Sequence, residues 1–122
     1  RTGVHTLAPA IGTAHGIYKG TPNIDFDRIG RIAEAVDVPL VLHGGSGIPE
    51  EQVKRAVSLG MAKMNVATEL RILFSDAIKH VFAENPDEND PRKYMVPAKK
   101  ALKAAVIEKM QLCGCAGRAG DF

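Results

Sequence analysis

The chain has 122 residues, of which 45% are hydrophobic and 25% are charged, a composition typical of a globular protein. The net charge is only +2, tryptophan is absent and aromatic residues make up 5%, which argues against a nucleic-acid partner. No apolar run approaches the roughly 20 residues of a membrane span, so we expect a cytoplasmic protein without membrane contacts.

The first part of the chain alternates apolar runs with an amphipathic segment. Residues 5–12 are predicted to form a strand buried on both faces, and residues 13–23, which contain two glycines and a proline, are predicted to form a loop. Asp25 is expected to cap a helix. The apolar residues of that helix recur at helical spacing: Phe26, Ile29, Ile32, Ala33 and Val36. A second buried strand is predicted at residues 38–42.

The second part of the chain begins with glycines and continues with helices. Pro49 is expected to open a helix that ends at Gly60, and a third strand is predicted at residues 62–66. The next helix starts at Thr68, and a last one spans about residues 94–112. The residues predicted to face inward are Leu70, Leu73, Phe74, Ala77, Ile78, Val81 and Phe82 on the former, and Ala98, Leu102, Ala105, Val106 and Met110 on the latter.

This alternation of strands and helices predicts an α/β fold with parallel strands and right-handed crossovers. Three strands, each followed by a helix, fit either an open doubly wound sheet or part of an eight-stranded barrel. The periodicity alone does not choose between these two architectures. Cys113 and Cys115 are too close in sequence for an unstrained mutual disulfide, so we expect reduced thiols.

The residues capable of chemistry lie at the carboxyl ends of the three predicted strands. His15 follows the first strand, His43 ends the second, and Asn65 lies in the third. Loops at this edge of a parallel sheet converge, and imidazole is a good zinc ligand. A single histidine is more often a structural residue than a ligand, but the shared position of the two favours a metal site.

Two short loops at the same edge are suited to an anion. The glycine-rich residues 44–47 precede one predicted helix and residues 65–68 precede the next, so both loops are placed to turn backbone N–H groups toward a phosphate. The alternative is that the glycines only make tight turns between strand and helix. Neither loop matches a Walker or dinucleotide-binding motif.

Three motifs together resemble the class II aldolases: AIGTAHG at residues 10–16, VPLVLHGGSG at residues 38–47 and NVATEL at residues 65–70. The similarity runs from Val4 to Gly114, and NDPRKY at residues 89–94 adds to a resemblance to the tagatose-bisphosphate aldolase branch. The resemblance implies that residues 1–122 are the C-terminal portion of a single TIM (β/α)8 barrel, whose N-terminal half is absent.

The family's reaction is the reversible, zinc-dependent cleavage of a ketose 1,6-bisphosphate, of tagatose or fructose, into dihydroxyacetone phosphate and glyceraldehyde 3-phosphate. By resemblance His15 and His43 are zinc ligands, and Gly12 and Ser46 lie near a monovalent cation. The residues implied in binding the dihydroxyacetone phosphate portion are Gly16, Gly44, Gly45, Ser46, Asn65, Val66, Ala67 and Thr68. Two roles are left open for Arg92: it contacts the distal phosphate, or it is an exposed, solvated side chain.

The resemblance also implies missing parts. The family's third zinc histidine and its proton-transferring aspartate lie in the N-terminal half, so no catalytic residue is assigned here and the chain alone is expected to be inactive. Family members form dimers or tetramers, which predicts a homo-oligomer. Two other readings stay open: a metal-independent phosphate-binding barrel in which both histidines act as acid and base, and a non-catalytic partner subunit of an aldolase.

Overall fold

The structure, a computed structural model, describes residues 2–121. The chain divides into two compact units, with the boundary between Ala67 and Thr68. The first unit contains helix α1 (Phe26–Ala35), strand β1 (Leu40–Leu42), helix α2 (Glu50–Ser58) and strand β2 (Met61–Met64). The second unit contains helices α3 (Thr68–Glu84) and α4 (Pro91–Leu112). The mixture of helices with parallel strands confirms the predicted α/β class.

The sheet of the first unit is formed by β1 and β2, which pair in parallel. Leu40 lies opposite Met61 and Leu42 lies opposite Met64, with an irregularity in the register just after Leu40. All of β1 is buried, as its unbroken apolar sequence predicts. The parallel pairing places the carboxyl ends of both strands at the same edge of the sheet.

The prediction of a strand at residues 5–12 is wrong, because this segment forms a single parallel bridge, between Leu7 and Leu40. The N–H of Leu7 donates to the carbonyl of Pro39 at 3.0 Å, and the N–H of Val41 donates to the carbonyl of Leu7 at 2.8 Å. Pro9 has no N–H with which to continue such a ladder. The segment still runs beside β1, and Ile11 at its end is fully buried.

Helix α1 begins where the sequence predicts. The carboxylate of Asp25 accepts a hydrogen bond from the N–H of Arg28 at 2.9 Å, which caps the amino end of the helix. Ile29 is buried on the inner face. The Arg28 side chain donates to the carbonyl of Ala10 at 3.1 Å, so the helix is also joined to the segment that precedes it.

Helix α2 follows Pro49 and carries Glu50 and Glu51 in its first turn, where the helix dipole favours acidic side chains. Gly60, with a φ of +107°, makes the turn into β2. The buried hydrophobic residues of this unit form one core against the sheet: Ile11, Ile24, Ile29, Leu40, Val41, Leu42, Ile48, Val53, Ala56 and Met61.

Helices α3 and α4 pack against each other in the second unit. Helix α4 begins at Pro91, three residues before the predicted start, because the Asp90 carboxylate caps it by accepting from the N–H of Arg92 at 2.9 Å. The guanidinium of Arg92 also pairs with Asp90 at 2.7 Å and remains 89% exposed. The ammonium of Lys109 pairs with the Glu69 carboxylate of α3 at 2.9 Å.

The inward face predicted for α4 is correct only in part. Ala98 and Ala105 are buried, but Val106 and Met110 are 39% and 45% exposed. Helix α3 alone packs on α4 within the described unit, and it covers a face narrower than the apolar pattern predicts. Cys113 and Cys115 are free thiols, as expected. Among residues 2–121, no helix is both long and apolar enough to cross a lipid bilayer.

Candidate functional site

The centre of the candidate site is a pair of histidines separated by 28 residues in the chain. His43 directly follows the buried strand β1, where the chain leaves the core, and His15 lies in the loop before α1. Their rings stack with centroids 4.6 Å apart and an interplanar angle of 27°. The Nε2 atom of His15 lies 2.7 Å from the Nδ1 atom of His43. The structure therefore brings together both residues that were predicted as ligands.

The close approach of the two histidines depends on the residue after His43. Gly44 has a φ of +72°, and a Cβ atom built on it would overlap the backbone carbonyl of Ala14, the residue before His15. Any larger residue at this position would push the two histidine-bearing segments apart. Gly12 is restricted in the same way, because a Cβ atom there would overlap the backbone carbonyl of Asn23, at the other end of the loop that carries His15.

A tyrosine bridges the same two segments through its hydroxyl group. The Tyr18 oxygen accepts a hydrogen bond from the N–H of Ala14 at 2.9 Å and donates one to the carbonyl of Gly44 at 3.0 Å. The sequence reasoning missed Tyr18. The sequence signal that could have found it is an aromatic residue in a glycine-rich loop, three residues after His15. A large side chain in such a loop usually packs against another element or forms a hydrogen bond.

The two loops predicted to bind phosphate lie beside each other at the carboxyl edge of the sheet. The N–H of Gly45 donates to the carbonyl of Asn65, and the N–H of Asn65 donates to the carbonyl of Leu42, both at 2.9 Å. The N–H of Ala67 donates to the Ser46 hydroxyl at 3.3 Å, and Ser46 is only 4% exposed. Hydrogen bonds therefore join the loop after β1 to the loop after β2.

The remaining predicted residues differ in their placement. Val66 lies half-buried within the second loop, and Gly16 follows His15 with a φ of +97°. Thr68 is the first residue of α3 and belongs to the second unit. Because Gly45, Asn65 and Ala67 donate their N–H groups to protein acceptors, the phosphate prediction rests on the other N–H groups of these loops.

A lysine lies beside Asn65 and was not singled out from the sequence. The ammonium of Lys63 donates to the Oδ1 atom of Asn65 at 2.6 Å, at the carboxyl end of β2. This contact orients the Asn65 amide so that its NH2 group points away from the lysine. A positive charge next to the two loops favours an anionic ligand at this edge. The sequence signal was a lysine inside a short strand otherwise built from apolar residues.

The histidine pair fits part of a zinc site. Zinc binds imidazole nitrogen at about 2.0–2.1 Å, so two such ligands of a tetrahedral ion lie about 3.3 Å apart. The two ring nitrogens here are hydrogen-bonded at 2.7 Å, so the rings would move apart by about 0.6 Å to hold the ion. Within residues 2–121, no group of three or more His, Cys, Asp or Glu side chains is placed to hold a metal ion. The described residues therefore include two candidate nitrogen ligands, and a catalytic zinc site has three protein ligands.

Comparison with known proteins decides the family. The model of the class II fructose-bisphosphate aldolases matches residues 1–118. The chain belongs to the class II aldolase family. It is 56% identical over 118 residues to the D-tagatose-1,6-bisphosphate aldolase subunit GatY of Klebsiella oxytoca, a match that covers 97% of this chain and 42% of that relative. The predicted resemblance, including its tagatose branch, is confirmed.

Solved structures of class II aldolases show the same fold. The YdjI aldolase from Escherichia coli K12 has a TM-score of 0.81 at 40% identity over 97% of this chain. A Coccidioides immitis protein assigned as a fructose-1,6-biphosphate aldolase has a TM-score of 0.83 at 31% identity over 99% of this chain. In both cases the chain spans 42% of the length of the solved protein, as it does for the curated relative.

Proposed function

We propose that this class II aldolase chain is part of a zinc-dependent enzyme that reversibly cleaves a ketose 1,6-bisphosphate into dihydroxyacetone phosphate and glyceraldehyde 3-phosphate. The observation that carries the proposal is the pair His15 and His43, whose ring nitrogens face each other at 2.7 Å. They lie next to Gly44, the first residue of a glycine-rich loop that is hydrogen-bonded to the loop containing Asn65. This arrangement would supply metal ligands beside a candidate anion site.

We further propose that residues 1–122 form the C-terminal portion of a single TIM barrel. Support comes from the 42% of each relative's length that the chain spans, and from the bridge at Leu7 and strands β1 and β2, which run parallel and follow one another in the chain. An N-terminal half would supply the third zinc histidine and the proton-transferring aspartate. The 122-residue chain would then have no aldolase activity by itself.

Each group in the described site has a proposed role. His15 and His43 would hold zinc, which when bound supplies the electron sink for cleavage of the C3–C4 bond. The loops at residues 44–47 and 65–68 would bind the dihydroxyacetone phosphate portion and orient it. The Asn65 NH2 group, directed away from Lys63, is available to donate to a substrate oxygen. A monovalent cation near Gly12 and Ser46 completes the proposed set.

The proposed substrate is tagatose 1,6-bisphosphate, with fructose 1,6-bisphosphate as the close competitor. The choice is supported by the name of the 56% identical relative, a tagatose-bisphosphate aldolase subunit. The two sugars differ only in configuration at C4, so the residues that face C4 decide between them. We also propose that the complete protein is cytoplasmic. We propose in addition that it is a homo-oligomer, a dimer or tetramer, which is the assembly that the family resemblance implies.

The test is zinc content and cleavage activity of the complete protein. Wild type and His43→Ala would be assayed on both ketose bisphosphates, with and without a chelator. We expect zinc-dependent cleavage in wild type, and a loss of at least about 1,000-fold in His43→Ala because the site loses a metal ligand. His80→Ala is the matched control, since His80 pairs with Glu84 on the exposed face of α3 and should leave activity unchanged.

Each outcome of this test has a clear meaning. Cleavage that resists the chelator would remove zinc from the mechanism and favour acid and base roles for the two histidines. A zinc-loaded complete protein that cleaves neither sugar would favour the non-catalytic partner subunit. The sugar with the higher kcat/KM identifies the substrate.

A further inference from the structure

We propose that Tyr18 is a positioning residue that fixes His15 against His43 and thereby sets the affinity of the site for zinc. The inference rests on the proposed zinc function. It concerns a side chain that is neither a predicted ligand nor a predicted substrate contact. Tyr18 would act through the two histidines, since its hydroxyl contacts the backbone immediately beside each of them.

The Tyr18 hydroxyl forms two hydrogen bonds, one as acceptor and one as donor. The oxygen accepts from the N–H of Ala14, on the His15 segment, and the hydroxyl hydrogen goes to the carbonyl of Gly44, on the His43 segment. A single atom thus holds both segments, with donor and acceptor at 2.9 and 3.0 Å. Loss of the hydroxyl would free both segments at once.

The tyrosine ring lies near the glycine-rich loop. Its Cδ2 atom is 3.7 Å from the position that a Cβ atom would occupy on Gly47, so the ring leaves room for such an atom. Tyr18→Phe keeps the ring and removes only the hydroxyl with its two hydrogen bonds, so the variant isolates the proposed role.

The geometric demand of zinc explains why the hydroxyl matters. Two imidazole nitrogens bind one ion well only when their separation and direction are already close to those of the coordinated state. His15 lies in a loop with little regular hydrogen bonding, whereas His43 follows the buried strand β1. The Tyr18 bridge links the former to the latter. Without it, part of the binding energy would be spent on ordering the His15 loop.

The experiment measures the zinc dissociation constant of the complete protein by competition with a chromophoric chelator. Wild type, Tyr18→Phe, His43→Ala and Tyr94→Phe would be compared. We expect the affinity to fall about 10-fold or more in Tyr18→Phe, the usual effect of removing a residue that orients a metal ligand. The matched control is Tyr94→Phe, because Tyr94 lies in the second unit with its ring against Phe82.

The visible spectrum of the Co2+-substituted protein gives a second readout that a purely structural loss would not move. In Tyr18→Phe we expect a change in the position or intensity of the ligand-field bands, with the same apo-protein thermal midpoint to within a few degrees. Unchanged zinc affinity and an unchanged cobalt spectrum in Tyr18→Phe would overturn the inference. An equal loss of affinity in Tyr94→Phe would also overturn it.

The two proposals fail differently. If His43→Ala weakens zinc binding and Tyr18→Phe does not, the zinc site stands and the role of Tyr18 falls. If His43→Ala leaves zinc binding intact, both fall.

If Tyr18→Phe does not fold, the inference can be tested in wild-type protein with ring-labelled tyrosine. Zinc should shift the nuclear magnetic resonance signal of Tyr18 and leave that of Tyr94 in place. A Tyr18 signal that zinc does not shift would overturn the inference.

Discussion

At the scale of single residues, the candidate site depends on a glycine, Gly44, at a position that has no room for a side chain. Gly44 combines a left-handed backbone with direct contact to the backbone of Ala14. The first feature strains any residue with a Cβ atom, and the second leaves no room for one. Both effects act at the point where the His15 and His43 segments meet.

We predict that Gly44→Ala destabilises the protein by about 3 kcal/mol, the sum of backbone strain and overpacking. It should also weaken zinc binding, because the clash with Ala14 would displace the backbone segments that orient His15 and His43. The matched control is Gly20→Ala, where a Cβ atom meets no other atom within 4 Å and φ is not in the left-handed region. Urea unfolding measures both variants, and equal stability of the two would contradict the prediction.

The pairing of the two histidines could be predicted from the sequence, and the contacts of the neighbouring residues could not. His15 and His43 are unusual residues that follow apolar runs, and strand ends of parallel sheets converge, so their proximity follows from the pattern. Tyr18 and Lys63 act through side-chain hydrogen bonds to Gly44 and Asn65, residues whose distance in space depends on the packing of the whole unit. The local sequence marks both as unusual residues, but it does not say which groups they contact.

At the scale of elements, the amino end of α4 is stabilised by charge. Two hydrogen bonds hold the pKa of the Asp90 carboxyl below its ordinary value of 3.8. The larger effect comes from the Arg92 side chain and the smaller one from the Arg92 backbone N–H. The pKa of Glu88 is lowered mainly by a hydrogen bond from the backbone N–H of Asp90, and next by one from the ammonium of Lys93. A carboxyl whose pKa is lowered by folding stabilises the folded state above its unfolded pKa, and that contribution is lost as the pH falls through the folded pKa.

We therefore predict that, as the pH falls below about 4, the thermal midpoint falls less steeply in Asp90→Asn than in wild type. Asparagine still caps the helix but does not titrate, so the contribution of Asp90 no longer depends on pH. Asp87→Asn, in the loop before α4, has the same change in net charge and serves as the control. Parallel curves for wild type and Asp90→Asn would contradict this role of Asp90.

Helices were predicted more reliably than strands, for identifiable reasons. Asp25 and Pro49 are local signals, so the starts of α1 and α2 could be predicted from a few adjacent residues. A strand needs a partner of matching length, and residues 5–12 find only one bridge to β1. The exposure of Val106 and Met110 was likewise unpredictable, because periodicity shows which face is apolar but not what covers it.

At the scale of the whole molecule, the chain spans 42% of its curated relative and presents two histidines at the candidate site. If the third ligand lies in an N-terminal half, the 122-residue chain alone should bind zinc at least about 10-fold more weakly than the complete protein. Isothermal titration with zinc measures both. Equal affinities would show that the proposed N-terminal ligand contributes nothing to binding.

The unequal support of the two histidines has a consequence for how the protein is degraded. His43 is held by the buried strand β1, whereas His15 shares a loop with the exposed Lys19. A metal held by both would tie that loop to the sheet, and a chelator would release it. Trypsin should then cut after Lys19 faster in the metal-free protein than in the zinc-loaded one, so resistance to proteolysis would depend on bound zinc.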